Sequence, residues 1–252
     1  MPKGFDKLEV TDPILRLLLR VSGLEFAGKT HFALTAPDPI GILNMDRGLE
    51  GVVEKFLDGC IATKEIHSTD FRHMPVKTQD DHEARWYKVE ETHNTLLNDK
   101  AIRTIIWDTD TEAWEMARMA HFGRLTKIKS HHYGEVNAAF RKLIDDGFDA
   151  GKNLIMIGRD KKQYVKKSAS SEDSAWNGKY EAAGFTELPS IAQVNLRAKI
   201  ILGDDGNHTP TVTIGKCRQN LPLSGTVFED EEACFSWVAA NVINGTSPED
   251  WE

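Results

Sequence analysis

The sequence of 252 residues predicts an α/β protein, a three-layer sandwich with a mainly parallel central sheet and a late β-hairpin. Short apolar runs of strand length alternate with helical segments, as is typical of parallel sheets that carry helices on both faces. Two late strands flank the polar turn Gly203–Gly206, which is a hairpin signal. The length fits a single domain over residues 1–252, with its core at about residues 14–220.

The first predicted elements surround a glycine-rich segment. A strand is predicted over Ile14–Val21, a dense apolar run, and a short helix is predicted over Lys29–Thr35. The segment between them matches the phosphate-loop pattern G-x-x-x-x-G-K-[ST]. The alternative is a glycine-rich turn before an ordinary helix, but the two flanking elements favour nucleotide binding. The residues expected to contact the nucleotide are Gly23, Leu24, Glu25, Phe26, Ala27, Gly28, Lys29, Thr30 and His31.

The residue types in this loop fit the chemistry of phosphate binding. Gly23 and Gly28 lack a Cβ, so the backbone can wrap around a phosphate with its N–H groups pointing inward. The start of the following helix presents further unpaired N–H groups to the same anion. We expect Lys29 to neutralise the β- and γ-phosphates, and we expect the hydroxyl of Thr30 to be a ligand of Mg²⁺.

The later elements follow from apolar runs, helical periodicity and chain breakers. Pro37 and Pro39 end the first helix, because a residue before proline is pushed out of helical geometry. The further predicted strands are Ile40–Met45, Ile61–His67, Ala101–Trp107, Asn153–Ile157, Leu196–Leu202 and Thr209–Ile214. The further predicted helices are 48–57, 80–98, a helix from 112, 135–148 and 229–244. Residues 161–184 are predicted to be a mobile polar loop, and the last eight residues are predicted to be frayed.

Three charged residues end predicted strands: Asp46, Asp108 and Arg159. In open α/β sheets the ligand binds beyond the carboxyl ends of the strands, so we expect these side chains to face the nucleotide. Asp108 ends an apolar run in the manner of a Walker B carboxylate that holds Mg²⁺, or it caps the next helix. Asp46 either orients the attacking water or caps a helix that opens at Arg47. Arg159 either senses the γ-phosphate or starts a basic loop.

Composition limits the classes of partner. The formal net charge of −8 argues against a protein that coats nucleic acid with its whole surface. From Gly151 to Tyr180 the local balance is +4, so any nucleic-acid contact is expected there. No apolar stretch reaches 18 residues and the N-terminus lacks a signal-peptide core, which predicts a soluble, cytoplasmic protein without a membrane partner. The three cysteines have no paired spacing, which predicts reduced thiols.

The order of these motifs resembles that of RecA-like ATPases, especially the small phage-encoded ones linked to DNA recombination and single-strand annealing. The resemblance covers about Leu15–Asn220 and rests on GLEFAGKT, ILNMDRGLEG, TIIWDTD and NLIMIGRDKK. It implies a RecA-like P-loop NTPase fold with ATP and Mg²⁺ as cofactors, and it makes Lys29, Asp46, Asp108 and Arg159 the catalytic residues. Asp46 matches the catalytic base, where the family usually has glutamate. Arg159 stands where bacterial recombinases typically have glutamine.

The same resemblance implies partners. RecA-like proteins bind single-stranded DNA through two loops, which correspond here to about 124–132 and 161–179. The second combines lysines with aromatic residues, which suits single strands because bases stack and phosphates pair with cations. The alternative is a disordered, solvated loop. Its expected DNA-binding residues are Lys161, Lys162, Tyr164, Lys166, Lys167, Trp176 and Lys179.

A late K-x-R sequence bears on assembly. Lys216 and Arg218 resemble the pair by which related hexameric ATPases reach the nucleotide of a neighbouring subunit, or they are a plain surface pair. The resemblance therefore implies a homo-oligomer with ATP at the subunit interface. A single-strand DNA-binding protein is a further expected partner.

Three functions fit these residues. The first is a Mg²⁺-dependent ATPase that binds single-stranded DNA during phage recombination or replication in the host cytoplasm, with hydrolysis stimulated by DNA. A small-molecule kinase shares the phosphate loop, but the segment Lys161–Lys179 lacks the arginines of a kinase lid. A nucleotide-gated adaptor that loads a partner onto DNA would bind ATP without turnover. No guanine-reading N-K-x-D element occurs, which favours ATP.

Overall fold

The computed structural model describes residues 14–61, 63–123, 129, 132–166, 174–203 and 206–252. Its strands are β1 (Leu18–Gly23), β2 (Ile40–Asn44), β3 (Ile66–Asp70), β4 (Thr104–Asp108), β5 (Asn153–Lys166), β6 (Ser174–Ala182), β7 (Val194–Leu202), β8 (His208–Cys217) and β9 (Val227–Glu229). Its helices are α1 (Lys29–Leu34), α2 (Glu54–Leu57), α3 (Gln79–Asn98), α4 (Asp110–Phe122), α5 (Tyr133–Asp149), α6 (Leu188–Ile191) and α7 (Phe235–Val242). None of the helices in this described part is both long and apolar enough to cross a membrane.

The strands pair in the order β3-β2-β4-β5-β1-β7-β8-β9, and β6 pairs with β5 outside this path. The pairs from β3 to β7 are parallel, whereas β8 and β9 are antiparallel to their neighbours. Register fixes which strand ends meet: Gly23 lies beside Arg159, and Asp108 lies beside Ile157. Because β5 lies between β1 and β4, its residues separate the phosphate loop from Asp108.

Helices cover both faces of the sheet, and each face has its own buried cluster. Successive side chains of β1 point to opposite faces, so Leu19 and Val21 lie in one buried cluster and Leu18 lies in the other. The first cluster includes Phe32 of α1 and Phe235 of α7. Helices α3, α4 and α5 contribute to the second. The predicted three-layer α/β sandwich, with its mainly parallel sheet and late β7–β8 hairpin, is confirmed.

Several predicted boundaries shift in the first half of the chain. β1 begins at Leu18 rather than Ile14. The helix predicted over 48–57 is reduced to α2, because Gly51 adopts a left-handed φ of 77° that an α-helix does not accommodate. β3 covers Ile66–Asp70 rather than Ile61–His67, since the N–H of Ile61 donates to the carbonyl of Lys55 and belongs to the turn after α2.

The prediction of a mobile loop over 161–184 is wrong where the structure describes these residues. β5 continues to Lys166 and pairs with β6 in an antiparallel ribbon. Tyr164 lies opposite Trp176, and Lys162 lies opposite Tyr180. Cross-strand pairs of large side chains stabilise such ribbons, but the interspersed lysines hide the apolar alternation that indicates a strand. Residues 167–173, between the two strands, lie outside the described residues.

The C-terminal region also differs from its prediction. α7 spans only Phe235–Val242, because Asp230–Glu232 form a 3₁₀ turn after β9. The last eight residues are not frayed, since Pro248–Trp251 form a 3₁₀ helix. Trp251 is buried, and its ring centroid lies 5.9 Å from that of Phe235. Removal of the indole from water offsets the entropy cost of ordering the chain end.

A buried histidine joins α3, β4 and α5. The indole N–H of Trp107 donates to Nδ1 of His93 at 3.2 Å. Nε2 of His93 therefore carries the proton and donates to the carbonyl of Leu143 at 2.9 Å. Burial lowers the pKa of His93 to about 4, although the Leu143 carbonyl and the charge of Asp146 act to raise it. The ring is consequently neutral in the folded protein at neutral pH.

This histidine predicts a loss of stability in mild acid. An unfolded histidine titrates near 6.5, so between about pH 6.5 and 4 the unfolded state binds the proton more tightly than the folded state. The contribution of His93 is therefore complete above this window and falls as the pH is lowered. Between pH 7 and 5, we expect the free energy of unfolding from urea titration to fall by about 2 kcal/mol more in the wild type than in His93→Gln.

The exposed His73 provides the matched control for this measurement, because its side chain is 84% exposed. His73→Gln should retain the pH dependence of the wild type. Equal pH dependence in the wild type and in His93→Gln would contradict the assignment.

Candidate functional site

The phosphate loop connects β1 to α1, and its two glycines are needed for different reasons. A Cβ on Gly23 would lie 2.6 Å from the carbonyl oxygen of Ala198, so β7 approaches too closely for a side chain. Gly28 has a left-handed φ of 82° immediately before α1, a conformation that favours glycine. Phe26 is also left-handed, and its side chain is 92% exposed. The loop therefore presents bare backbone at its start and end.

Lys29 begins α1 and folds back over the loop. Its Nζ donates to the carbonyl oxygens of Gly23 at 3.2 Å and of Leu24 at 2.6 Å. Burial lowers the pKa of Lys29, although the charges of Asp108 and Asp160 act to raise it. The ammonium group is thus held against two neutral acceptors, and phosphate oxygens can replace both.

Thr30 and Asp108 are brought together on the other side of this pocket. Oγ1 of Thr30 donates to Oδ2 of Asp108 at 3.0 Å. Burial raises the pKa of Asp108 to about 6, the hydrogen bond from Thr30 opposing this shift and the charge of Asp46 adding to it. A Cβ on Gly48 would lie 2.8 Å from Oδ2 of Asp108 and 2.9 Å from Oγ1 of Thr30. The missing side chain at Gly48 therefore leaves space beside both oxygens.

These two oxygens fit a hard divalent cation. A hydroxyl and a carboxylate are oxygen ligands of the kind that Mg²⁺ takes, with water and substrate phosphates as its other ligands. A cation at this point would also compensate the buried charge of Asp108. Within the described ranges, no cluster of three His, Cys, Asp or Glu side chains could hold a metal. Helix α4 is capped by Thr109, whose Oγ1 accepts the N–H of Glu112 at 3.2 Å, and not by Asp108.

Arg159 lies between two carboxylates near the end of β2 and the start of α4. Its NH2 group donates to Oδ2 of Asp46 at 2.6 Å, and its NH1 group donates to Oε1 of Glu112 at 2.7 Å. Oδ1 of Asp46 accepts the N–H of Arg47 at 2.7 Å. Partial burial acts to raise the pKa of Asp46, but the hydrogen bonds from Arg159 and Arg47 hold it below its usual range. No helix begins at Arg47, so Asp46 is not a helix cap.

Glu112 is the residue of this cluster that the sequence prediction missed. It lies in the first turn of α4, four positions after Asp108. An acidic residue there has an ordinary explanation, since carboxylates are favourable near helix N-termini. The available signal was its position at the same sheet edge as Asp46 and Asp108, where the carboxyl ends of the strands meet.

A buried ion pair links β1, α4 and β5 beside the site. Nε of Arg20 donates to Oδ2 of Asp110 at 2.7 Å, and the two side chains are 3% and 0% exposed. Burial raises the pKa of Asp110, and the charge of Arg20 opposes this effect. Thr111 donates to Oδ1 of Asp110 at 3.0 Å and accepts the N–H of Arg159 at 3.1 Å. The backbone of Arg159 is thereby fixed to α4.

Lys216 and Arg218 lie at the opposite end of the sheet from the phosphate loop. Lys216 pairs with Asn195 near the start of β7, which is parallel to β1. Its Nζ donates to the carbonyl of Pro189 at 3.0 Å, and Arg218 donates to the carbonyl of Ser190 at 2.5 Å. These residues therefore do not contact the pocket of their own chain. Contact with the nucleotide of a neighbouring subunit stays a prediction.

The ribbon gathers an aromatic and basic face from the residues predicted to bind DNA. Tyr164 and Trp176 are cross-strand partners, and they are 60% and 46% exposed. Nζ of Lys162 lies 5.1 Å from the ring centroid of Trp176, within the range of a cation–π contact. The ring of Tyr180, which the prediction omitted, lies 5.8 Å from that of Trp176. A role for this face in DNA binding stays a prediction.

The other residues predicted to bind DNA are placed less uniformly. Lys161 pairs with Glu181 at 3.4 Å, and Lys179 is exposed. The side chain of Lys166 and the whole of Lys167 lie outside the described residues. Most of the first predicted loop, 124–132, lies outside them as well.

Comparison with known protein families identifies the family of the chain. The family AAA_24, described as an AAA domain, matches residues 19–218. The chain belongs to this AAA domain family. The AAA domain is a P-loop ATPase domain, and the match includes the phosphate loop, both carboxylates of the Arg159 cluster and the ribbon.

The chain is also similar to solved structures at low sequence identity. A KaiC-like protein from the hyperthermophilic archaeon Pyrococcus horikoshii matches with 14% sequence identity, 84% coverage of each chain and a TM-score of 0.44. A search of the curated proteins found no match. Within the AAA domain, the structure brings together Lys29, Thr30, Asp46, Asp108 and Arg159, and it places Lys216 and Arg218 away from them. The catalytic roles of these residues stay predictions.

Gly48→Ala tests the metal position in this AAA domain. The new Cβ would displace the oxygens of Thr30 and Asp108, because it lies within 2.9 Å of both. We expect Mg²⁺ to increase the affinity of the wild type for ATP. In Gly48→Ala this increase should be roughly tenfold smaller, which is the effect of disturbing one charge-assisted interaction. Calorimetric titration with and without Mg²⁺ measures the difference.

Gly134→Ala is the control, since a Cβ at this helical position meets nothing within 4 Å. It should leave the Mg²⁺ effect unchanged. A full Mg²⁺ effect in Gly48→Ala would place the metal elsewhere.

Proposed function

We propose that this AAA-domain chain is a Mg²⁺-dependent ATPase that acts on single-stranded DNA in phage recombination or replication. The observation that carries the proposal is the hydrogen bond of 3.0 Å between Thr30 and Asp108, together with Lys29 of the phosphate loop, whose charge interacts with that of Asp108. These groups supply the hydroxyl, the carboxylate and the cation that Mg²⁺ and a triphosphate require. Membership of the AAA domain family supports ATP as the nucleotide.

The residues of the pocket have separate tasks in this proposal. Lys29 exchanges its two loop carbonyls for phosphate oxygens and neutralises their charge. Thr30 and Asp108 hold the metal ion, which supplies charge neutralisation at the phosphates when it is bound. Loop N–H groups after Gly23 bind the remaining phosphate oxygens. Catalysis therefore consists mainly of positioning and electrostatic stabilisation.

Asp46 is the residue that would orient the attacking water. Its depressed pKa makes it a carboxylate at neutral pH, so it can accept a hydrogen bond from water. Oδ2 of Asp46 already accepts a hydrogen bond from Arg159 at 2.6 Å, however, and a move of the guanidinium would free that lone pair for water. The proposal therefore includes a rearrangement of Arg159 before hydrolysis.

A second candidate is a nucleotide-gated adaptor that binds ATP without turnover. The engagement of both oxygens of Asp46, by Arg159 and by the N–H of Arg47, favours this candidate. Release of free phosphate, measured with and without single-stranded DNA, separates the two. Turnover that rises with DNA supports the ATPase, whereas ATP binding without turnover supports the adaptor. Transfer of label to a small acceptor would instead indicate a kinase.

Support for DNA as the polymer comes from the ribbon. Its face combines the exposed rings of Tyr164 and Trp176 with the ammonium group of Lys162. Bases stack on such rings irrespective of sequence, and lysines pair with phosphates. An oligomer with Lys216 and Arg218 at a neighbour's nucleotide is part of the same proposal. Light scattering with and without ATP tests assembly.

Lys29→Ala tests nucleotide binding. The substitution removes the cation that the proposal assigns to the phosphates, and a charge-assisted hydrogen bond contributes about 1.5–3 kcal/mol. We expect the affinity for ATP, measured by calorimetry, to fall by roughly 10-fold to 150-fold. Lys88→Ala is the control, because Lys88 lies on the surface of α3 and pairs with Glu91 at 2.7 Å. Unchanged ATP affinity in Lys29→Ala would remove the basis of the proposal.

Trp176→Ala tests the ribbon. Stacking of one base on an aromatic ring contributes about 1–3 kcal/mol, so we expect affinity for labelled oligo(dT) to fall by roughly 5-fold to 150-fold in fluorescence anisotropy. Trp237→Ala is a matched control, since Trp237 is 40% exposed on α7, away from the ribbon. Equal loss of affinity in both variants would argue against a specific role of the ribbon.

A further inference from the structure

Arg159 uses its two terminal nitrogens for two different carboxylates. NH2 donates to Asp46 at 2.6 Å and NH1 donates to Glu112 at 2.7 Å. We propose that Glu112 is a positioning residue that holds one edge of the Arg159 guanidinium while the other edge exchanges Asp46 for the terminal phosphate of a bound triphosphate. This inference rests on the proposed ATP-binding function and adds a residue and a regulation to the same site.

The position of Arg159 suits such an exchange. Its backbone is the register partner of Gly23, the first residue of the phosphate loop. Its N–H donates to Thr111 at 3.1 Å, so the main chain is fixed and only the side chain can move. The side chain is 39% exposed, which leaves room for rotation. Its charge also acts to lower the pKa values of Lys29 and of Asp108, so these residues share one electrostatic environment.

The chemistry of the guanidinium explains why two carboxylates matter. Its planar fork has separate edges, and each edge can keep or change a partner independently. With Glu112 in place, loss of the Asp46 contact leaves one charge-assisted hydrogen bond intact. Without Glu112, Arg159 would turn both nitrogens toward Asp46 in a bidentate pair, which is the stronger arrangement for arginine with a single carboxylate. Arg159 would then be withheld from the phosphate and Asp46 from the water.

The two carboxylates differ in whether they keep or release Arg159 during the proposed exchange. Asp46 follows β2 and already accepts the N–H of Arg47 at 2.7 Å, so it remains anchored after Arg159 leaves. Glu112 lies in the first turn of α4, whose cap Thr109 fixes that turn through the N–H of Glu112 at 3.2 Å. Glu112 is therefore a stationary partner, whereas Asp46 is the partner that is released.

The ordinary alternative is that Glu112 only stabilises the N-terminus of α4. A purely electrostatic view gives a further alternative, because removal of a negative charge near the pocket would strengthen binding of a polyphosphate. The positioning role predicts the opposite sign for the triphosphate and no effect for the diphosphate. The sign and the selectivity of the effect therefore separate the three explanations.

The test compares equilibrium binding of a non-hydrolysable ATP analogue and of ADP by calorimetry, with Mg²⁺ present. We expect Glu112→Gln to bind the analogue about tenfold more weakly than the wild type, the lower end of what one charge-assisted hydrogen bond contributes, and to bind ADP within about twofold of it. Asp46→Asn, which replaces the competing carboxylate by a neutral amide and so weakens its hold on Arg159, should bind the analogue at least as tightly as the wild type. Glu115→Gln is the matched control on the same helix, since Glu115 pairs with Arg118 at the surface.

A double-mutant cycle completes the test. In an Arg159→Met background, Glu112→Gln should have no further effect on the analogue, because the residue through which Glu112 acts is absent. Equal affinities of Glu112→Gln and Glu115→Gln for the analogue, or tighter binding by Glu112→Gln, would overturn the inference. An unchanged effect of Glu112→Gln in the Arg159→Met background would overturn it as well. A wild-type protein that binds neither nucleotide would instead refute the proposed function.

Discussion

The parallel pairing of β5 between β1 and β4 is the constraint on which the site depends. Neighbouring strands lie about 4.8 Å apart, so Gly23 and Asp108 are separated by two strand spacings, roughly 10 Å, at the edge of the sheet. Thr30 closes this gap from α1 by donating to Asp108. Arg159, from the intervening strand, is the register partner of Gly23 and follows Ile157, the register partner of Asp108, by two residues. The intervening strand thus supplies a third charged residue between the loop and the carboxylate.

The distribution of counter-ions distinguishes Asp108 from the other carboxylates around this edge. Four of them have arginine partners: Asp46 and Glu112 with Arg159, Asp110 with Arg20, and Asp160 with Arg197. Asp108 instead accepts a hydrogen bond from the neutral hydroxyl of Thr30 and forms no ion pair among the described residues, although the charges of Lys29 and Arg159 act on it. Burial of an unpaired carboxylate is costly and raises its pKa, and a divalent cation removes that cost. The charge balance thus points to the same metal position as the ligand chemistry and the space beside Gly48.

The parts of the molecule that the sequence predicts are those in which a local residue pattern and a local structure coincide. The phosphate loop and Asp108 follow from the chain itself, since the glycines, the lysine and the apolar run lie within a few residues of the elements that position them. The partners of these residues are not local. Arg20 is one polar residue in an apolar strand, and its role depends on Asp110, ninety positions away, and on Gly158, where a Cβ would lie 2.2 Å from the guanidinium.

The sequence predictions for the ribbon and for the C-terminus are wrong for a related reason. The strands on either side of residues 167–173 are stabilised by pairing with each other, and their lysines suppress the hydrophobic signal that would reveal them. Trp251 orders the chain end by burial beside Phe235, a residue of α7 whose position depends on the completed sheet. The sequence already explains Glu112 as an acidic residue in a first helical turn. Only the folded structure shows that Glu112 also accepts a hydrogen bond from Arg159.

The continuity of β5 relates the candidate DNA surface to the candidate nucleotide site. One strand supplies buried sheet residues from Asn153, the site arginine at Arg159 and the ribbon from Asp160 onward. Lys162 lies three residues after Arg159, about 10 Å along an extended chain. Asp160 is anchored to Arg197 of β7 at 3.2 Å, and its side chain is 3% exposed, so the base of the ribbon is held on the far side of β1 as well. β5 is thus paired with β1 and β4 at its sheet end and tied to β7 through Asp160, and the partly exposed Arg159 lies where the sheet passes into the ribbon. The proposed DNA surface and the proposed nucleotide site therefore share one strand, and β5 is the direct covalent connection between them.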